Sequence, residues 1–179
     1  MRTFAFLRAI NVGRRTVRME RLREEFTALG FSGVETFIAS GNVIFESGAV
    51  KEKPLRERIE RHLHGNLGFE VTTFLRSSSE LTNIVNRCPF STAPGASVYV
   101  AFLAVAPETR AAKDLMACQS QTDQFHVHNR EIYWLCRTTM SDSKFSGALL
   151  EKILRQPATI RNLTTLQKLT AKYPPLPGT

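Results

Sequence analysis

Four short stretches of this chain carry residue types that can hold a negatively charged group. In Asn11-Val12-Gly13-Arg14-Arg15 an early apolar strand passes into a helix. Backbone amides and the helix N-terminus can there meet a phosphate or carboxylate beside two guanidiniums. The spacing is neither a Walker loop nor the three-glycine dinucleotide fingerprint, and a turn with one glycine and two solvated arginines accounts for it equally well. Ser40-Gly41-Asn42 reads either as a tight hairpin, since glycine and asparagine tolerate positive φ, or as a second wall of the same site. Ser143 and Lys144, following Ser141-Asp142, can cap the next helix or hold an anion beside the ammonium. Arg161 and Asn162 fall in the expected first turn of a last helix capped by Thr159. An arginine there opposes the helix dipole and calls for an acidic partner.

Other reactive residue types do not assemble into a recognisable centre. A two-residue turn at Asn129-Arg130 would pair His128 with Glu131 and His126 with Tyr133, with Phe125, Val127, Ile132 and Trp134 on the other face. Two histidines and one carboxylate lack a third strong ligand, so no metal is assigned. His62 and His64 diverge on a helix and read as surface residues. No Ser-His-Asp order, carboxylate pair or activated cysteine points to catalysis, and no cofactor is implied.

The elements that must position these residues follow from periodicity and punctuation. The first part reads strand 3–10, helix 16–29, strand 34–39, strand 43–46, helix 54–67, strand 69–76. Thr16 is the expected first cap, Gly30 and Gly68 the helix ends, and Pro54 a first-turn residue. Right-handed crossovers then put the end of the first strand, the Ser40–Asn42 hairpin and the Gly65–Gly68 turn on one edge. Ser77-x-x-Glu80 is a capping box for a connecting helix, and 90–95 is the best internal boundary. Beyond it come strand 97–105, helix 107–117, strand 124–128, strand 131–137, helix 143–154 and a helix over 160–172. The fold class expected is α+β with two ferredoxin-like (βαββαβ) halves, the second incomplete and ending in helices. The divisions are 1–76, 77–96 and 97–179.

Net charge is +8, from 24 Lys and Arg against 16 Asp and Glu, which favours anionic partners. Much of it sits on solvated helix faces. No nucleic-acid reader motif and no interleaving of aromatic with basic residues is present, so a small anionic molecule is preferred to nucleic acid as partner. A ligand-free homodimer paired through sheet edges is the third alternative, with monomer or homodimer left open. Cys88, Cys118 and Cys136 are odd in number and widely spaced, as in a reducing compartment. With no leader and no run long enough to cross a bilayer, a cytoplasmic protein without membrane contact is expected.

Taken together in order, Leu7-Arg8-Ala9-Ile10-Asn11-Val12-Gly13, Ser40-Gly41-Asn42-Val43-Ile44-Phe45, Ser143-Lys144-Phe145 and Ala158-Thr159-Ile160-Arg161-Asn162 resemble the bacterial family labelled domain of unknown function 1697. The family pattern usually has a second glycine where this chain has Arg14, and a tryptophan where it has Leu163. The resemblance implies an α+β protein with ferredoxin-like halves and lends no activity or cofactor. It directs joint attention to Asn11, Gly13, Ser40, Gly41, Asn42, Ser143, Lys144, Arg161 and Asn162.

Overall fold

Alternation of side chains along the first strand, β1 (Arg2–Leu7), sends Ala5 and Leu7 to the face where the first helices lie. The computed structural model describes residues 1–11, 16–38, 40–91 and 94–175. It divides into two compact units, Met1–Thr82 with the residues from Lys172 onward, and Asn83–Ala171.

In the first unit β1 is followed by α1 (Met19–Ala28), β2 (Ser32–Thr36), β3 (Asn42–Glu46), α2 (Glu52–Leu67), β4 (Thr73–Ser77) and α3 (Ser78–Asn86), the last of which runs across the division between the units. The strand order is β2-β3-β1-β4, with every neighbouring pair antiparallel. Leu22, Phe26 and Leu29 from the α1 segment and Leu55, Ile59 and Leu63 of α2 share one core with Ala5, Leu7, Val43, Phe45 and Leu75 of the strands. These are the apolar stripes at helical spacing. Gly68 ends α2 in the left-handed conformation, its N–H on the His64 carbonyl. Ser77 and Glu80 form the expected reciprocal cap of α3.

The second unit repeats the order: β5 (Ser97–Leu103), α4 (Thr109–Met116), β6 (Asp123–His128), β7 (Glu131–Cys136), α5 (Gly147–Leu154), β8 (Ala158–Asn162) and α6 (Leu163–Lys172). Its strands lie β6-β7-β5-β8, again all antiparallel. The hairpin register is the one expected, His126 opposite Tyr133 and His128 opposite Glu131.

Several expectations are corrected. The second unit does not lack its last strand: residues 158–162 pair with β5, from Leu103 opposite Ala158 to Tyr99 opposite Asn162. Pairing with a neighbour overrides the weak local preference of five residues that adjoin a helix. Arg161 and Asn162 are therefore strand residues, and the α6 cap is Asn162, whose Oδ1 accepts from Thr164 N, rather than Thr159. Helix α1 starts at Met19 with an extended Arg18 before it, not at a Thr16 cap. Asn11 Oδ1 accepts the Val17 N–H at 2.7 Å and so engages the backbone just ahead of the helix. His62, expected at the surface, is half-buried with Nε2 2.7 Å from Oε2 of the buried Glu25. No described helix is long and apolar enough to cross a membrane.

Candidate functional site

The first-unit rim is built where β1 leaves the sheet. Leu7 N donates to the Gly41 carbonyl at 2.9 Å and Arg8 N to the Thr72 carbonyl at 2.9 Å. The end of β1, the β2–β3 hairpin and the segment before β4 thus share one edge. Asn42 is 1% exposed, and its Nδ2 donates to the Phe37 carbonyl at 3.1 Å and to Ser40 Oγ at 2.7 Å. Gly41 has φ +72°, and a Cβ there would lie 2.6 Å from Ile10 Cγ2. Only a residue without Cβ lets the hairpin come this close to the loop. Asn11 follows Ile10 at this rim and holds the Val17 N–H through its side chain. The expected anion ligands Gly13, Arg14 and Arg15 lie outside the described residues; Asn11, Ser40, Gly41 and Asn42 are brought to the common rim.

The second unit supplies an internal control, because several of these contacts recur in it. Leu103 N donates to the Arg130 carbonyl at 2.9 Å, as Leu7 does to Gly41. Glu60 of α2 accepts the N–H that opens β4, at Thr73, and Glu151 of α5 accepts the N–H that opens β8, at Ala158, each at 2.8 Å. Arg76 sits opposite Phe4 on the neighbouring strand, and Arg161 sits opposite Val100. Both are buried, and each donates to the carbonyl of the residue before it, Leu75 or Ile160. Arg161 donates also to Thr159 Oγ1 at 2.8 Å, and burial brings its pKa down to about 10. The next residue in each case, Ser77 or Asn162, caps the helix that follows.

Two loops depart furthest in length from the repeat. Residues 8–18 join β1 to α1 where 104–108 suffice between β5 and α4, and residues 137–146 join β7 to α5 where 47–51 suffice between β3 and α2. The first contains Asn11 to Arg15, and the second contains Ser143 and Lys144. Ser143 does not cap α5, a role taken by Ser146, whose Oγ accepts from Leu149 N. Its hydroxyl instead donates to Asp123 Oδ1 at 2.8 Å and accepts from Phe145 N at 2.9 Å. Lys144 is exposed beside it. Ser143 thus contacts edge strand β6, while Arg161 and Asn162 belong to the opposite edge strand β8, three strand spacings or about 14 Å away.

Asp123, absent from the sequence expectations, is the centre of this region. It accepts from Trp134 Nε1 at 2.8 Å, from Thr122 Oγ1 at 2.7 Å and from Ser143. Burial pushes its carboxyl up, but the hydroxyl and indole donors together outweigh that and hold it below the usual carboxylate range. The local signal was the run Ser120-Gln121-Thr122-Asp123, a hydroxyl-rich turn ending on an acid. Among the described residues, no group of three His, Cys, Asp or Glu is placed to hold a metal ion. His128 instead has Arg87 Nη1 at 3.0 Å.

Comparison with solved structures finds the conserved bacterial protein SP0830 from Streptococcus pneumoniae, 25% identical, with a TM-score of 0.76 over 96% of this chain and 97% of that one. No curated protein matches the chain. A family model described as "Protein of unknown function (DUF1697)" matches residues 1–133, the part that holds the first unit's sheet, its rim and the β6–β7 hairpin up to Tyr133. The chain belongs to the DUF1697 family.

Proposed function

We propose that the protein binds a small phosphate- or carboxylate-bearing molecule at the rim of the first unit, with Asn11, Gly13, Arg14, Arg15, Ser40 and Gly41 as its ligand-binding residues and the buried Asn42 fixing the hairpin behind them. The observation that carries this is the pairing of a long loop with a fixed wall. Loop 8–18 has no counterpart of its length in the second unit, and the Gly41 hairpin lies against Ile10 at its base. Extra chain that the fold does not require, placed on a rigid sheet edge, is where binding residues concentrate. The sequence adds two guanidiniums and a glycine between Asn11 and Val17, which suit a bidentate anion. Arg161 and Asn162 recur as Arg76 and Ser77, so their work is in the fold. Lys144 lines a separate cavity, and Ser143 serves Asp123 in that cavity's wall.

The strand orders β2-β3-β1-β4 and β6-β7-β5-β8 support two ferredoxin-like units. The three cysteines, all unpaired, support a cytoplasmic setting.

The test is a thermal-shift panel of inorganic phosphate, sugar phosphates and nucleotides on the wild type and on an Arg14→Ala, Arg15→Ala double variant. At least one anion is expected to raise the wild-type Tm by about 3 °C and to leave the double variant unmoved. Equal shifts in both proteins, or none in either, would remove the rim as an anion site.

A further inference from the structure

The loop 137–146 and the connection between α4 and β6 line an open cavity of about 560 Å3 whose polar wall includes Ser120, Thr122, Asp123, Thr138, Asp142 and Lys144. Asp123 is 2% exposed. Among the described residues its carboxylate meets only neutral groups: Trp134 Nε1 and Ser143 Oγ at Oδ1, Thr122 Oγ1 and, at 3.5 Å, Ser120 Oγ at Oδ2. A buried carboxylate is ordinarily met by a cation. The hydroxyl protons of Thr122 and Ser143 are committed to Asp123, so those oxygens have only lone pairs left to offer.

The rim adds a second carboxylate, the exposed Asp142, which accepts from Thr139 Oγ1. Among the described lining residues one ammonium, Lys144, stands against the two, and the exposed Arg137 donates to the carbonyl of Gln121, another residue of the wall. In a chain of net charge +8 a lining with more carboxylates than ammonium groups, and rich in acceptors, is the reverse of what an anion needs. We propose that the cavity of the second unit binds a small molecule carrying a primary ammonium group, held by the Asp142 carboxylate and the hydroxyl oxygens under the field of the buried Asp123. This site is separate from the first-unit rim and does not rest on the anion reading.

Ethanolamine, acetate and inorganic phosphate serve as probes on the full chain, followed by amide chemical shifts and by Tm. Ethanolamine at about 10 mM is expected to raise Tm by roughly 2 °C and to move amides within 118–123 and 138–149, while acetate and phosphate leave those amides in place. Asp142→Asn is expected to weaken ethanolamine roughly fivefold, and Lys144→Ala, which removes the competing ammonium, to tighten it roughly twofold. The Arg14→Ala, Arg15→Ala variant should bind ethanolamine as the wild type does, which separates this site from the rim. Acetate or phosphate moving the cavity amides in place of ethanolamine, a Lys144→Ala variant that binds ethanolamine more weakly, or no amide shift with ethanolamine would each overturn the proposal.

Discussion

At Gly41 the backbone holds φ +72° and leaves no room for a side chain against Ile10, which is itself 2% exposed. Gly41→Ala must therefore strain the backbone and displace a packed β-branched residue. It is expected to cost about 2–4 kcal/mol in urea unfolding, and a loss under about 1 kcal/mol would mean the hairpin yields easily. Asp123 gives a second prediction at this scale. Its native pKa is depressed, so its contribution to stability is fully present above the ordinary value near 4 and is lost as pH falls through the lower native value. Asp123→Asn should cost about 2–3 kcal/mol at pH 7, because an amide nitrogen would then face a hydroxyl or indole donor. The variant's unfolding free energy should also fall less steeply than the wild type's below pH 4. Parallel acid limbs would show that Asp123 is not the titrating group.

The repeated contacts between elements predict matched effects. Ser77 caps α3 as Asn162 caps α6, so Ser77→Ala and Asn162→Ala should each lose about 1 kcal/mol in denaturant titration. An Asn162→Ala variant of full stability would undo the parallel. Glu60 and Glu151 make the same bond to the start of a strand, yet burial raises the pKa of Glu60 despite the Thr73 amide and Arg56. A raised carboxyl favours the folded state below its unfolded pKa, and that advantage fades as pH rises through the folded value. Glu60→Gln keeps an acceptor oxygen for Thr73, and its Tm should match or exceed the wild type's at pH 7 and gain nothing at pH 4. A clear loss at pH 7 would show that the charge itself holds β4. Helices, their glycine ends and the Ser77-Glu80 cap were legible because each depends on residues within one turn. The β6–β7 register was legible because a two-residue turn leaves a strand little choice. Strand β8 was not: residues 158–162 lie directly ahead of α6, and only β5 opposite them makes them extended.

Over the whole molecule, the chain's last described residues return to the first unit. Tyr173 is 5% exposed, packs edge-on against Phe4 and donates its hydroxyl to Glu35, which also receives Lys172 Nζ at 3.1 Å. Tyr173→Ala should lower stability by about 2–4 kcal/mol in urea unfolding, whereas Tyr173→Phe, keeping the ring, should lose about 1 kcal/mol. Equal losses would mean that the Glu35 bond, not the ring, fastens the tail. No local pattern announces such a contact, which joins residues far apart in the chain. By itself the sequence determined the mixed α+β class, the helices and the glycine ends of the first two, and the meeting of the end of β1 with the Gly41 hairpin at one sheet edge, since periodicity, turn chemistry and crossover handedness are written in neighbouring residues. Tertiary structure alone decided that Arg161 is a buried strand residue with a counterpart in Arg76, that Ser143 serves Asp123 instead of a helix, and that Glu25 draws His62 inward. These outcomes depend on which side chains meet across strands and loops, and on the cost of burying a charge away from its donors, neither of which spacing along the chain encodes.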